Sequence, residues 1–147
     1  MLINKADKIF IAGARGMVGS AIKRKLLSKG YNNLECPNRN QLDLTKTNLV
    51  FEWFNEIKPS VVIIAAAKVG GIYANNKYPL DFLLENLKIQ NNIIEASWKN
   101  NSKRLLFLGS SCIYPKFANQ PIVEEELLTG SLEKTNDCYA IAKIAGL

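Results

Sequence analysis

The chain has 147 residues, room for about one domain of ordinary size, and its 48% hydrophobic and 22% charged content are those of a soluble globular protein. Its net charge of +6 comes from scattered Lys and Arg with no basic stripe interleaved with aromatics, which argues against nucleic acid, and no apolar run approaches the ~20 residues that cross a bilayer, which argues against a membrane. Met1 to Asp7 lacks the apolar core of a signal peptide, the three cysteines have no framework spacing, and histidine and Cys-x-x-Cys are both absent; a cytoplasmic protein with no metal site is expected.

The apolar run Lys8 to Ala12 ends at Gly13 and predicts a buried strand entering a tight turn. Val18, Ala21, Ile22, Leu26 and Leu27 then recur at helical spacing up to Gly30. Leu34 to Cys36 is a weak second strand, and Thr45 to Ile57 a helix that Pro59 forbids to continue. Val61 to Ala67 is the clearest buried strand of the chain. A Gly-rich loop, Lys68 to Tyr78, leads to Pro79 and a long helical pattern through Phe82, Leu87, Ile89 and Ile93. Arg104 to Gly109 is a further buried strand, Ser110 to Asn136 a long polar connection, and Asp137 to Leu147 the start of a last helix.

Apolar strands alternating with helices predict an α/β fold, a doubly wound parallel sheet of the Rossmann kind. The last helix carries Ile141, Ile144 and Leu147 with too little length to pack them. Residues 1–147 are therefore expected to be a truncated dinucleotide-binding domain, with a substrate domain beyond 147.

Gly13-Ala14-Arg15-Gly16-Met17-Val18-Gly19 stands between a strand and a helix. There the glycines serve a tight turn, close approach of backbone to a pyrophosphate, and close helix packing, with the anion at the positive helix end. The choice of dinucleotide is a question of charge. Arg15 lies inside the turn and Arg39 twenty positions past Gly19, and two guanidinium groups suit a 2′-phosphate; NADP(H) is expected. Glu35 is the competing feature, since an acidic residue at the end of the second strand would favour NAD. Asp43 is read equally as an adenine contact or as a loop and helix cap.

Tyr139 and Lys143 are four residues apart, on one face of a helix. A phenol titrates near ~10, so acid or base work at neutral pH calls for a neighbouring positive charge, which Lys143 offers. Ser110, at the carboxyl end of a strand, has a hydroxyl able to hold a substrate carbonyl. Cys112 reads equally as a proton-transferring thiol beside that carbonyl or as a small buried apolar residue. Cys36 and Cys138 have no comparable context and read as packing or surface residues.

These stretches resemble the GDP-L-fucose synthases, epimerase/reductases of the extended short-chain dehydrogenase/reductase group. The matching residues are Ile11 to Ser20, Ala65 to Ile72 (Ala-Ala-Ala-Lys-Val-Gly-Gly-Ile), Phe107 to Lys116 (Phe-Leu-Gly-Ser-Ser-Cys-Ile-Tyr-Pro-Lys) and Tyr139 to Gly146. The resemblance implies epimerisation of GDP-4-keto-6-deoxy-D-mannose at C3 and C5, followed by NADPH reduction of the C4 ketone. It also implies roles: Cys112 transfers protons, Ser110 holds the C4 oxygen, Tyr139 protonates it, and Lys143 tunes the tyrosine and holds the ribose. Gly13, Arg15, Gly16, Met17, Val18, Gly19, Arg39, Asp43 and Ala66, with Tyr139 and Lys143, are the implied cofactor contacts. The family implies a homodimer, with the apolar helix from about Asp81 to Asn100 as the contact. Ala14 departs from the histidine frequent in this turn. The family's partner acid, a histidine, is missing and expected beyond Leu147, so this chain alone is not expected to turn over. Dehydratases of the wider group carry an Asp-Glu pair where Ser111-Cys112 stands, which argues against dehydration. Two alternatives stand beside this reading: another nucleotide-sugar epimerase or reductase, and a non-catalytic dinucleotide-binding module.

Overall fold

In the computed structural model, which describes residues 3–147, the apolar runs become four parallel strands: β1 (Ile9–Ala12), β2 (Leu34–Glu35), β3 (Val61–Ile64) and β4 (Arg104–Phe107). The helices are α1 (Met17–Ser28), α2 (Thr47–Ile57), α3 (Ile72–Lys77), α4 (Pro79–Lys99) and α5 (Asp137–Ile144). Strand order is β2-β1-β3-β4. From β1 the chain moves to one side for β2, then returns to the other side for β3. That reversal is the topological switch of a doubly wound sheet, and the crevice beyond the carboxyl ends of β1 and β3 is where such sheets bind ligands.

Contacts divide the chain into two compact units, one of residues 1–67 and 88–108, the other of residues 68–87 and 109–147. In the first, β1 and β3 are buried along their whole length, and alternate residues serve opposite layers. Phe10, Ala12, Val62 and Ile64 pack with Val50, Phe54, Ile89 and Ile93. Ile9, Ile11, Val61 and Ile63 pack on the other face with Ile22, Leu26 and Tyr31. Phe10 meets Phe54 edge-on at 5.4 Å between ring centres, both fully buried, so truncating either to Ala would cost about 3–5 kcal/mol.

Polar side chains fix the ends of these elements. Asp7, just before β1, accepts hydrogen bonds from Lys103 Nζ (2.6 Å), just before β4, and from Ser60 Oγ (3.0 Å), just before β3. Three strands are thereby clasped at their amino ends. Buried Asn92 on α4 donates to the Leu44 carbonyl (2.9 Å) and accepts from Thr47 Oγ1 (3.0 Å), which holds the start of α2.

Strand β3 stops at Ile64, three residues short of the predicted Ala67. Its partner β1 ends at Ala12, opposite Ile64, and after the bond from Ala65 N to Ala12 O the ladder has no further partner. Strand β4 likewise ends at Phe107, after which Leu108 N bonds Ile64 O. It is an edge strand, with Arg104 and Leu106 exposed.

In the second unit the predicted loop over 68–78 holds a short helix, α3, capped at Gly71. Asn86 clasps its approach: Oδ1 accepts from Lys68 N (2.8 Å), while Nδ2 donates to the carbonyls of Lys68 (3.0 Å) and Phe82 (2.7 Å). Lys68 Nζ pairs with Glu85 (3.1 Å) and Asp81 (3.5 Å). The long polar connection is tied rather than free. Lys116 donates from Nζ to Glu133 (2.8 Å) and from its backbone N to the Ser131 carbonyl (2.9 Å), and two short 3-10 turns, Ser111–Ile113 and Glu124–Glu126, punctuate it.

Candidate functional site

In the first unit the glycine turn leaves β1 and opens α1, as its sequence predicts. Gly13 has φ +81°, and a Cβ there would stand 2.7 Å from Ala66 N and 2.8 Å from the Ala65 carbonyl carbon. A Cβ on Gly19 would overlap the Gly13 carbonyl outright. Both glycines are thus demanded by the protein's own packing, which brings the end of β1, the start of the β3 loop and the first turn of α1 together. Gly16 differs. Its φ of −74° suits any residue, and a Cβ would meet nothing closer than the Gly13 carbonyl oxygen at 3.4 Å. Its smallness serves nothing inside the fold and fits a cradle for a group outside it. The first turn of α1 carries no acidic residue and no side-chain cap, so its N–H groups point outward with the positive end of the helix dipole. Arg15, Met17 and Val18 are exposed beside them, and Ala66 is half-buried at the end of β3.

Around the end of β2, Glu35 is the last strand residue, paired in register with Phe10, and Arg39 is exposed four residues later. Asp43 accepts from both the backbone N (3.0 Å) and the hydroxyl (2.7 Å) of Thr45. Those bonds, with the charge of Arg39 behind them, hold its carboxyl below its ordinary value. The turn role of Asp43 is therefore occupied; an adenine contact would have to be made alongside it. Cys36 packs against the Ile9 and Ile11 layer, and burial pushes its thiol up.

In the second unit Ser110, Cys112, Tyr139 and Lys143 come together. The Ser110 side chain caps the 3-10 turn Ser111–Ile113 by accepting from Cys112 N (3.3 Å), which fixes both residues of the pair. Tyr139 shares a hydrogen bond with Ser110. Lys143, one turn further along α5, is only 4% exposed. Burial pushes Tyr139 above its ordinary 10.0; the Ser110 bond opposes this, and negative charge on Cys112 adds to it. Burial also pushes Lys143 down. The phenol therefore stands higher than the sequence argument from Lys143 alone anticipates, because desolvation of a group outweighs its one bond. A protonated phenol next to a hydroxyl is an acid ready to donate to a carbonyl oxygen.

One participant escaped sequence reasoning: Asn136, immediately before α5, donates from Nδ2 to Cys112 Sγ at 3.1 Å. Residue types and spacing carry no signal for it, since the contact joins positions far apart in the chain. Cys138 lies next to Asp137, and burial followed by that charge pushes its thiol up. Among the described residues no group of three or more His, Cys, Asp or Glu could hold a metal, and no helix is long and apolar enough to cross a membrane.

Comparison with known proteins places this geometry. GDP-L-fucose synthase 1 of Arabidopsis thaliana is 59% identical over 98% of this chain and 45% of its own length. GDP-L-fucose synthase of Escherichia coli K12 is 54% identical over 96% and 44%. Among solved structures, MlghC, the GDP-mannoheptose C4 reductase of Campylobacter jejuni with NADP bound, superposes with a TM-score of 0.95 at 41% identity, over 99% of this chain and 46% of that one. The chain thus spans less than half the length of the curated relatives it matches. The profile of the NAD dependent epimerase/dehydratase family matches residues 9–147, and the chain belongs to that family.

Proposed function

We propose that this chain supplies the NADPH-binding and proton-transferring parts of an enzyme that epimerises GDP-4-keto-6-deoxy-D-mannose at C3 and C5 and reduces its C4 ketone to give GDP-L-fucose. The observation that carries the reading is the gathering of Ser110, Cys112, Tyr139 and Lys143 in one unit, with Ser110 capping the turn of Cys112 and the Cys112 sulfur tied to Asn136 at the head of the helix that carries Tyr139 and Lys143. The strong similarity to GDP-L-fucose synthases supports the same choice of sugar.

The residues divide the work as follows. The backbone of Gly13, Gly16 and Gly19 and the first turn of α1, with Met17 and Val18, would hold the cofactor's pyrophosphate, with Ala66 beside them, and Arg15 and Arg39 would hold the 2′-phosphate. When bound, NADPH supplies the hydride. Ser110 holds the C4 oxygen by its hydroxyl, which sharpens the acidity of the neighbouring C–H bonds. Cys112, as the thiolate, takes a proton from the carbon next to the ketone: an S–H bond forms, the C–H bond breaks, and its electron pair moves to the C4 oxygen. Return of a proton to the opposite face inverts the centre and needs a partner acid, which the reading assigns to the remaining length typical of the relatives. Tyr139 would give its proton to the C4 oxygen when that ketone is reduced, and Lys143 would steady the phenolate left behind.

A homodimer is part of the reading, supported by exposed Leu80, Leu84 and Trp98 along α4. So is a cytoplasmic location, since the role of Cys112 requires a free thiol, as all three cysteines are here. A second reading, ketone reduction without epimerisation, is favoured by the close likeness to a C4 reductase. One experiment separates them: the product of the full reading frame is incubated with GDP-4-keto-6-deoxy-D-mannose and NADPH in deuterated water. Deuterium at C3 and C5 with a reduced C4 is expected. Reduction without deuterium would select the second reading, and neither event in a folded, cofactor-binding protein would leave a dinucleotide-binding module. The cofactor choice has its own check. Arg39→Ala should weaken NADPH about 10- to 100-fold while changing NADH little, as for loss of a charge-assisted phosphate contact; equal effects on both would return the question to Glu35.

A further inference from the structure

Asn136 occupies the position before α5 where an asparagine side chain ordinarily accepts a stabilising bond from a first-turn backbone N–H. It makes no such bond. Its Nδ2 instead donates to Cys112 Sγ, and its Oδ1 is buried with no hydrogen-bond partner among the described residues. Buried polar atoms are nearly always paired, so each exception in a native interior calls for a cause. Here two sacrifices, the cap bond and the acceptor, have one beneficiary: the direction of the Cys112 sulfur. Asn136 also stands one turn ahead of Tyr139 on the same helical face, so the group that holds the sulfur and the proton-donating phenol ride on one rigid element.

We propose that Asn136 is a positioning residue for the proton transfer at Cys112, its amide N–H fixing the sulfur in the direction from which it takes the proton. This rests on the epimerase/reductase reading of Cys112. A thiol left to rotate would present its lone pairs in three staggered directions, of which one faces the substrate carbon. The N–H donor selects one of them before the substrate arrives, and misplacement of a reacting group is a recognised source of large rate losses.

The test is Asn136→Asp. Aspartate has the shape of asparagine and caps helices equally well, so a merely structural role leaves this variant unaffected; what it lacks is the N–H donor, and its charge repels an anionic sulfur. Iodoacetamide alkylation of the 147-residue chain at fixed pH, followed by peptide mass, reads Cys112 with Cys36 and Cys138 as internal references. Cys112 should react about tenfold more slowly in the variant, with the references and the thermal midpoint unchanged. Asn136→Ser, which restores a cap by a side chain one heavy atom shorter than the amide it replaces, should slow Cys112 as well, and it carries the comparison if the Asp variant does not fold. Wild-type reactivity of Cys112 in either folded variant overturns the proposal. Because alkylation needs no sugar, this outcome is independent of the deuterium experiment: a wild type that exchanges no protons would sink the reading of Cys112 while leaving the hold of Asn136 on the sulfur measurable.

Discussion

On the proposed reading, the glycine turn after β1 and the cluster around Tyr139 serve by opposite means. In the turn the backbone is the site, and the atoms that would receive a phosphate are held by the same close approaches, Gly13 to Ala66 and Gly19 to Gly13, that allow the sheet and α1 to pack. In the cluster the side chains are the site, and the fold carries them at a cost: a nearly buried Lys143, a desolvated Tyr139 and an unpaired Asn136 acceptor. Binding by backbone is inseparable from folding, whereas chemistry by side chain can be removed with the fold left standing.

Gly13 is a position where backbone and fold are tightly joined. Gly13→Ala forces a Cβ into a left-handed residue and against the Ala65–Ala66 peptide, and should cost roughly 2–4 kcal/mol in urea unfolding. Gly16→Ala is its control. It should cost no more than about 1 kcal/mol, the ordinary difference at a helix cap, yet weaken NADPH about tenfold by filling the cradle. Equal loss of stability at the two positions would mean that Gly16 serves packing after all.

On the side-chain half, Cys112→Ser should lower solvent exchange at C3 and C5 by about 100-fold or more, the usual worth of a general base, while reduction of an already epimerised ketone stays within about threefold. Equal loss of both steps with the fold intact would remove Cys112 from its assigned role.

The smallest effect concerns neither half. The bond from Lys103 first, then those from Asn4 and Ser60, hold the carboxyl of Asp7 below its ordinary 3.8. A group whose folded value is depressed stabilises the fold above its unfolded value and loses that contribution as pH falls through the folded one. Asp7→Asn should therefore lower the urea midpoint at pH 7, and the gap from wild type should narrow below about pH 4, near the unfolded carboxyl value. A gap that is constant with pH would show that the clasp works by shape and not by charge.

What the sequence reveals follows the same division. Strands and helices of the doubly wound sheet were readable because β1 and β3 are apolar on both faces, and because Gly, Pro and polar runs mark their limits. The glycine turn was readable because its demand is local. The end of β3 was not, since it is set by where its neighbour β1 stops, a fact about pairing rather than about the alanines themselves. The helix α3 was hidden because Gly70 and Gly71 look like loop, although Gly71 serves as its cap. The division into two units cuts across α4, whose apolar pattern is continuous. At the cluster, residue types and spacing pointed to Ser110, Cys112, Tyr139 and Lys143. Asn136 could not be found from them, because its contact with Cys112 joins positions twenty-four apart through the fold of a polar connection.

The clasp of Asp7, Ser60 and Lys103 gathers the amino ends of β1, β3 and β4, while the glycine turn and Ala66 lie at the carboxyl ends of β1 and β3. The same strands are thus held at both ends, by side chains at the amino ends and by close backbone approaches at the carboxyl ends. A substitution can loosen the first end one bond at a time, whereas at the second a single Cβ on Gly13 or Gly19 displaces backbone, so the end that carries the glycines tolerates the smaller change.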